Sequence, residues 1–562
     1  MRWNLLPKPN EALVASLTKD LGVEPLIAEL LANRGITAYA EAKKFFRPSL
    51  DDLHDPFLMQ DMEQAVQRIE QAFQRQENIL VFGDYDVDGT TAVALMSSYL
   101  KTHTENVLTY IPDRYNEGYG VSKQGIDYAD DNDCALIIAL DCGVKSIELV
   151  EYASTKNIDF IICDHHLPGL ELPQAVAVLD PKRADCNYPY KELCGCGVGF
   201  KLIQAIAQKR NQPLQDLVPY LDLVATAIGA DIVPINGENR ILAYYGLQII
   251  NSEPRMGIKA IFGEKKKTYY DIADVVFTVA PRINAAGRIK HGDYAVALLT
   301  QTDFIEAKKL AKEIELFNAD RREFDKNITE EALQQIIDNQ EENTHATVVY
   351  SETWHKGVIG IVASRLIETY YRPTLVFTKS GDYLAASGRS VPGFNLYQAL
   401  HECKDFMIQF GGHEAAAGLT LLPENYLAFK KRFEQVVAQQ IQPHQLEPEI
   451  NVENTLEFHQ ITPKLIRILK QFAPYGPQNP TPIFLTKNVR DTGFGKCIGD
   501  GSHLHLFLKN HDSQGFSAIG FHLGDHLSKL KNQTSFSVVY SIDENDWNGK
   551  STVQLRLRGV KV

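Results

Sequence analysis

Cysteine is scarce: the 562 residues hold eight, with no pair of CxxC motifs. This excludes a disulfide scaffold and a four-cysteine zinc module, and leads us to expect reduced thiols in a cytoplasmic protein. Cys194 and Cys196 offer half a zinc site without a second pair at suitable spacing, and are read as buried small side chains. No apolar run is long enough to cross a bilayer, so no membrane partner is expected. The opening stretch, MRWNLLPKPNEALVASL, puts prolines and an acid where a secretory signal needs a continuous apolar segment. Positive charge is in deficit, 57 Lys and Arg against 71 Asp and Glu, for a net charge of −14. A uniformly basic nucleic-acid coat is thereby excluded. A local groove is not, because clustered acids can hold cations between the protein and an anionic substrate. There is no internal repeat or low-complexity tract, and no glycine or proline between residues 301 and 345.

Single cores stop growing near about 250 to 300 residues, so roughly three domains are expected. From residue 79 on, short apolar runs (NILVF, NVLTYI, ALIIAL, IDFIIC, AVAVLD) alternate with helical stretches, the pattern of a parallel α/β sheet. Three runs end directly in polar residues: Gly83-Asp84, Asp141-Cys142-Gly143 and Asp164-His165-His166. Strand carboxyl ends line the ligand crevice of such sheets, so these segments should converge on one edge. Residues 301–345 carry apolar positions at helical spacing, which predicts a long helix, broken near Asn318. A second α/β unit starts at ATVVY, and alternating segments such as HLHLFL and TVQLRLRGV predict a small all-β domain, for which a five-stranded OB-type barrel fits. The expected parts are a helical extension (1–50), an α/β domain (51–300), a connecting helix (301–345), a second α/β domain (346–445) and an all-β domain (446–562).

The stretch FGDYDVDGTT places Asp84, Asp86 and Asp88 on alternate positions. Such crowding is destabilising unless the acids are protonated, hydrogen-bonded or neutralised by cations. A solvated acidic turn would serve for an isolated DxDxD, and the calcium-loop spacing fails because no glutamate stands at position twelve. Asp141, His165 and His166 lie at the ends of neighbouring strands, and Asp231 follows another apolar run, ATAIGADIVP. Aspartates with one or two imidazoles suit Mn²⁺ or Mg²⁺, imidazole favouring Mn²⁺. Two such ions would clamp a phosphoryl oxygen and activate water.

DYDVDG (84–89), DCG (141–143), DHH (164–166) and GGHEAAAG (411–418) resemble the signature motifs of the DHH phosphoesterase superfamily. With IPDRYNEGYG (111–120), ADIVP (230–234), PRINAAGR (281–288), GVIGIVASR (357–365) and ASGRS (386–390), the chain is similar to that superfamily's bacterial single-strand-specific 5′→3′ DNA exonucleases. The resemblance implies DHH and DHHA1 α/β domains joined by a long helix around a central cleft, then an OB-fold. It maps Asp84, Asp86, Asp88, Asp141, His165 and Asp231 onto metal-ligand positions of a site for two ions, Mn²⁺ or Mg²⁺. It also puts His166 adjacent to the site, in reach of a ligand or the scissile phosphate, and gives Asp164 the part of orienting an imidazole.

Arg282, Asn284 and Arg288, with Ser387, Arg389 and Ser390, supply guanidinium forks and polar groups suited to phosphate. Arg114 and His413 are further candidates, against the alternative of interdomain salt bridges or a plain glycine turn. GCGVGF (195–200) lacks dinucleotide-motif spacing and is assigned to helix packing. In the β domain Tyr475, Phe494, Phe507, Phe516 and Trp547 are available to stack on bases, and Lys487, Arg490, Lys496, Arg556 and Arg558 to meet the backbone.

The expected function is a metal-dependent exonuclease of single-stranded DNA in recombination and repair. By resemblance its partners are a helicase and a single-strand-binding protein, and it acts as a monomer. Two rivals stand: a phosphodiesterase of short oligonucleotides or cyclic dinucleotides, and a non-catalytic single-strand-binding scaffold. The β domain favours a longer polymer over the first, and the complete acidic set speaks against the second.

Overall fold

Alternation of side chains along the first sheet decides how its layers form. In strand Asn78–Gly83, Ile79 and Val81 enter one apolar core while Leu80 and Phe82 enter another on the opposite face, and Leu136, Ile138 and Leu140 against Ile137 and Ala139 do the same. Both faces are therefore covered, as a parallel sheet requires. The computed structural model describes all residues except 264–266, 511–513, 531–534 and 548–549, and the side chains of Asp546, Trp547, Lys550 and Ser551 also lie outside the described residues.

Five parallel strands lie in the order Val107–Tyr110, Asn78–Gly83, Cys134–Leu140, Asp159–Cys163, Ala177–Leu179. Strand order reverses between the first and third strands in sequence, and at such switch points an open sheet offers its ligand crevice. Gly83 pairs with Leu140 there, so Asp84 and Asp141 leave the sheet side by side.

Helix Phe304–Asp338 runs unbroken for 35 residues, about 50 Å. The expected break at Asn318 is thus corrected: its side chain is buried and accepts from Arg321 Nη2 at 2.6 Å, which keeps it within the helix. The second α/β unit is a mixed five-stranded sheet in which Thr347–Tyr350 and Thr374–Ser380 are parallel and the other pairings antiparallel. In the C-terminal sheet, strand Phe484–Asp491 pairs with both Phe536–Trp547 and His503–Asn510 and closes a five-stranded barrel containing one parallel pair, the OB arrangement.

The N-terminal residues are more than a helical extension. Strand Arg2–Leu5 pairs in parallel with Glu449–Val452, and Leu17, Ile27, Leu30 and Leu31 share one core with the barrel residues Phe484, Leu506, Val538 and Tyr540. Arg34 joins them, with a two-pronged hydrogen bond to Glu453 at 2.8 Å per arm. The two ends of the chain thus fold as one unit. No described helix is long and apolar enough to cross a membrane.

Candidate active site

The loop leaving strand Asn78–Gly83 turns into helix Val87–Leu100, whose N-cap is Asp86, accepting from Gly89 N at 3.1 Å. A Cβ at Gly89 would stand 2.3 Å from the Asp84 carbonyl oxygen, so only glycine lets the loop fold back this closely. Asp88, in the first turn, reaches across to helix Gly195–Lys209 and accepts from Gly195 N and Cys196 N, both at 2.7 Å. A helix N-terminus thereby steadies this carboxylate. The GCGVGF run, assigned to packing from sequence, proves to be part of the site: a Cβ at Gly195 would lie 2.6 Å from Asp141 Oδ1. Cys194 and Cys196 are buried, as expected.

Asp141 takes a left-handed backbone (φ 60°) at the end of its strand, a conformation costly for a non-glycine residue and concentrated at functional sites. Its Oδ1 lies 3.1 Å from His165 Nε2, which is 3.7 Å from Asp231 Oδ2 and 3.8 Å from Asp88 Oδ2. Asp84 Oδ1 accepts from Gly120 N at 3.3 Å. Asp84 Oδ2, Asp141 Oδ1 and both ring nitrogens of His165 are buried without a hydrogen-bond partner. Orphaned buried polar atoms are costly, and a cation is the partner this donor set fits. The ligand atoms fall into three groups, each within 4.8 Å: Asp84, Asp86 and Asp141; Asp88, His165 and Asp231; Asp141, His165 and His166. Asp141 and His165 each belong to two of them.

Burial, then the neighbouring Asp86, pushes the Asp84 carboxyl well above its usual range. Burial and Asp86 raise Asp88 to about 7, and burial, Asp88 and Asp86 raise Asp231 to about 8. Burial followed by Asp88 raises Asp141 as well, while burial and His166 bring His165 down to about 3. Protons occupy such a cluster unless cations displace them.

Asp164 is apart from this set. Its Oδ1 accepts from His165 N, His166 N and His166 Nδ1 at 2.7, 3.1 and 2.7 Å, and its Oδ2 from Val144 N at 2.9 Å. Burial alone would raise its pKa, but the His166 hydrogen bond and charge, with the backbone donors, hold it at about 2. Asp164 therefore fixes the His166 ring with Nδ1 protonated, and Nε2 meets the hydroxyl of Tyr119 at 3.0 Å.

Three arginines from separate segments gather beside the acids. Arg114 stacks on Tyr85 with its guanidinium carbon 4.5 Å from the ring centroid. Burial and then Arg114 and Arg389 bring Arg288 down to about 9; burial and then Arg114 lower Arg389. Like charges held this close leave room for an anion. Arg288 Nη1 donates to Gly357 O at 2.8 Å, so the two α/β domains touch here. Ser387 Oγ accepts from Arg389 Nη1 at 3.3 Å.

Other candidates lie elsewhere or are engaged. Arg282 pairs with Glu315 on the long helix at 2.6 Å and donates to Thr278 O at 2.7 Å, which corrects its reading as a free phosphate fork toward the salt-bridge alternative. Ser390 Oγ donates to Phe394 O at 2.9 Å within its own turn, Asn284 is half-buried on helix Ala280–Ile289, and His413 is exposed on the hairpin of the second sheet, with Nδ1 accepting from Ala415 N. Of the β-domain aromatics, Phe516 is core and Tyr475 donates to Leu469 O, whereas Phe494 and Phe507 are exposed. Sequence reasoning missed Tyr119, the Gly195-Cys196 amides, and Asp180, whose carboxyl burial raises to about 7. Asp180 ends a strand as Asp84, Asp141 and Asp164 do, and that position was the available signal.

Family models describe three parts of the chain: the DHH family N-terminal domain over residues 78–228, the DHHA1 domain over 342–439 and the RecJ OB domain over 452–559. The single-stranded-DNA-specific exonuclease RecJ of Bacillus subtilis is 35% identical over 100% of this chain and 71% of its own length, and that of Escherichia coli is 32% identical over 96% of each. The chain belongs to the RecJ family. Among solved RecJ structures, that of Thermus thermophilus in complex with Mn²⁺ matches 100% of this chain and 79% of its own at a TM-score of 0.86 and 27% identity. A second RecJ, bound to manganese, matches 70% of this chain and 98% of its own at 0.61 and 30% identity.

Proposed function

We propose that the chain is a metal-dependent exonuclease that degrades single-stranded DNA from its 5′ end to mononucleotides in recombination and repair. One observation carries the reading: buried carboxylate and imidazole atoms without hydrogen-bond partners gather at the switch point of a parallel sheet, beside arginines supplied by both α/β domains. The RecJ relatives are exonucleases specific for single strands, and two RecJ structures hold manganese, an ion this donor set suits.

In this reading Asp84, Asp86 and Asp141 hold one Mn²⁺ or Mg²⁺ ion, and Asp88, His165 and Asp231 a second. Bound divalent ions polarise phosphoryl oxygens and lower the pKa of water at neutral pH. The chain's own groups do the rest. Asp164 holds the His166 ring in one orientation. Arg114, Arg288 and Arg389, with Ser387, take the oxygens of the terminal phosphate through charge-assisted hydrogen bonds. Contacts of this kind ignore base identity, which makes digestion sequence-independent. On this reading duplex is rejected by the cleft between the two α/β domains, which meet where Arg288 bonds across to Gly357. The exposed rings of Phe494, Phe507 and Phe521, the last with Arg556 5.2 Å from its centroid, give the barrel a stacking surface for a long polymer and favour this reading over cleavage of short or cyclic substrates.

We divide the chain functionally as residues 1–50, 51–300, 301–345, 346–445 and 446–562, with the first and last acting together. We place it in the cytoplasm as a monomer that receives ends from a helicase and works beside a single-strand-binding protein.

The test uses single-stranded DNA and RNA labelled at either end, with Mn²⁺ or Mg²⁺. Mononucleotides should accumulate from the 5′ end of DNA, and Asp141→Ala should abolish this. An equally active variant would overturn the reading.

A further inference from the structure

The helical run that carries Arg288 begins irregularly. Between helix Ile272–Asp274 and helix Ala280–Ile289 lies a π-turn, Val275–Val279, in which Ala280 N bonds back to Val275 O. Pro281 explains it, since a proline has no N–H for the carbonyl four residues earlier and its ring clashes there. Arg282 secures the widened turn by donating to Thr278 O while paired with Glu315 of the long helix. Val275 and Val279 are buried, and Val276 packs on Gly229, where an added Cβ would lie 3.3 Å from Val276 Cγ2. Three anchored positions leave Phe277 pointing outward, 77% exposed.

What it stands next to matters. Gly229 is two residues before Asp231, and the residue after Asp231 is Ile232, 69% exposed and held in the left-handed region at φ 59°. A β-branched residue in that conformation is a genuine outlier, and π-turns recur at functional sites. Two large apolar side chains are thus exposed by irregular backbone on segments that pack together beside the candidate metal ligands.

We propose that Phe277, assisted by Ile232, is the platform on which a base of the incoming single strand stacks, on the side of the metal-binding carboxylates opposite the arginine cluster. The proposal rests on the exonuclease reading and names a specificity-determining contact for it. Eleven residues separate Phe277 from Arg288, about 16 Å along the helix axis, and Gly287, next to Arg288, packs on the Tyr85 carbonyl. The helix is therefore a wall with the phosphate-binding cluster at one end and the apolar pair at the other, longer than one nucleotide. At the Phe277 end Arg282 is held by Glu315, which it shares with Arg322, and the exposed ring of Phe277 offers a face for a base. A duplex keeps its bases stacked inside and cannot use such a platform, which adds to the preference for single strands.

The experiment measures binding of the full chain to fluorescein-labelled oligothymidylate in EDTA by anisotropy, for the unaltered protein, Phe277→Ala and Phe277→Trp. Stacking on an aromatic side chain contributes about 1–3 kcal/mol per base, so Phe277→Ala should raise Kd about 5- to 150-fold. Phe277→Trp should keep the affinity, with its emission quenched on binding. Melting temperature and Mn²⁺-dependent hydrolysis of a 5′-phosphorylated dithymidylate, too short to reach Phe277 from the arginines, should be unchanged in Phe277→Ala. Equal Kd for Phe277→Ala and the unaltered protein would overturn the proposal, as would a fall in dinucleotide hydrolysis matching that on long strands. If the unaltered protein degrades no single-stranded DNA, the exonuclease reading fails by itself, whatever the Kd comparison shows.

Discussion

One helix, Gly195–Lys209, serves two buried charged groups of opposite character. At Lys201 the account closes: Nζ donates to His54 O at 2.7 Å and to Glu238 Oε1 at 3.1 Å, Glu238 Oε1 also accepts from His54 N, and Glu238 Oε2 accepts from Tyr188 Oη at 2.6 Å. At the helix N-terminus it does not close, for beyond the two amides that hold Asp88 stand the orphaned atoms of Asp84, Asp141 and His165. A buried charge with every partner supplied by the chain belongs to the fold. A buried set whose partners are missing is shaped for something that arrives from outside.

This contrast can be broken first at Lys201. Glu238→Ala would leave an ammonium buried without a counter-charge and should cost about 3–5 kcal/mol in urea unfolding, without a specific effect on metal binding. A loss below about 1 kcal/mol would show that the Lys201 group is no more structural than the acidic one. Asp164→Asn tests the other side at the residue that orients His166. It should lower activity or Mn²⁺ affinity about 10- to 100-fold, measured by isothermal titration and steady-state rates, while circular dichroism stays native.

A further effect is on pH dependence. Asp88 and Asp231 titrate near 7 and 8 in the folded chain, above the ordinary carboxyl value of 3.8. A raised folded pKa means that their stabilisation is fully present below the unfolded pKa and is lost as pH rises through the folded one. In EDTA the melting temperature should therefore fall between about pH 4 and pH 8 through these groups, and saturating Mn²⁺ should flatten the slope. A slope unchanged in Asp88→Asn would show that Asp88 does not titrate in this window.

Much of the fold was legible because its signals are local. Apolar runs alternating with helical stretches marked the parallel sheet, and a stretch free of glycine and proline marked the long helix, although Asn318, which accepts from Arg321 one turn on in the same helix, read as a break. The union of the N-terminal helices with the C-terminal barrel was invisible, since residues far apart in the chain carry no mark of shared packing. The same holds for Arg282. Its motif suits phosphate, and only the approach of the long helix gives it Glu315 instead.

The sequence by itself determined which chemistry is present: aspartates and histidines at strand ends, in an order that few other arrangements use, and arginines in glycine-containing motifs. Only the tertiary structure decided which of them face one another, that Asp86 caps a helix while also offering an oxygen to the cluster, and that the amides of Gly195 and Cys196 hold Asp88. The reason is physical. Strand and helix periods are written in neighbouring side chains, whereas a buried site is set by distances between segments that only the closed cores fix.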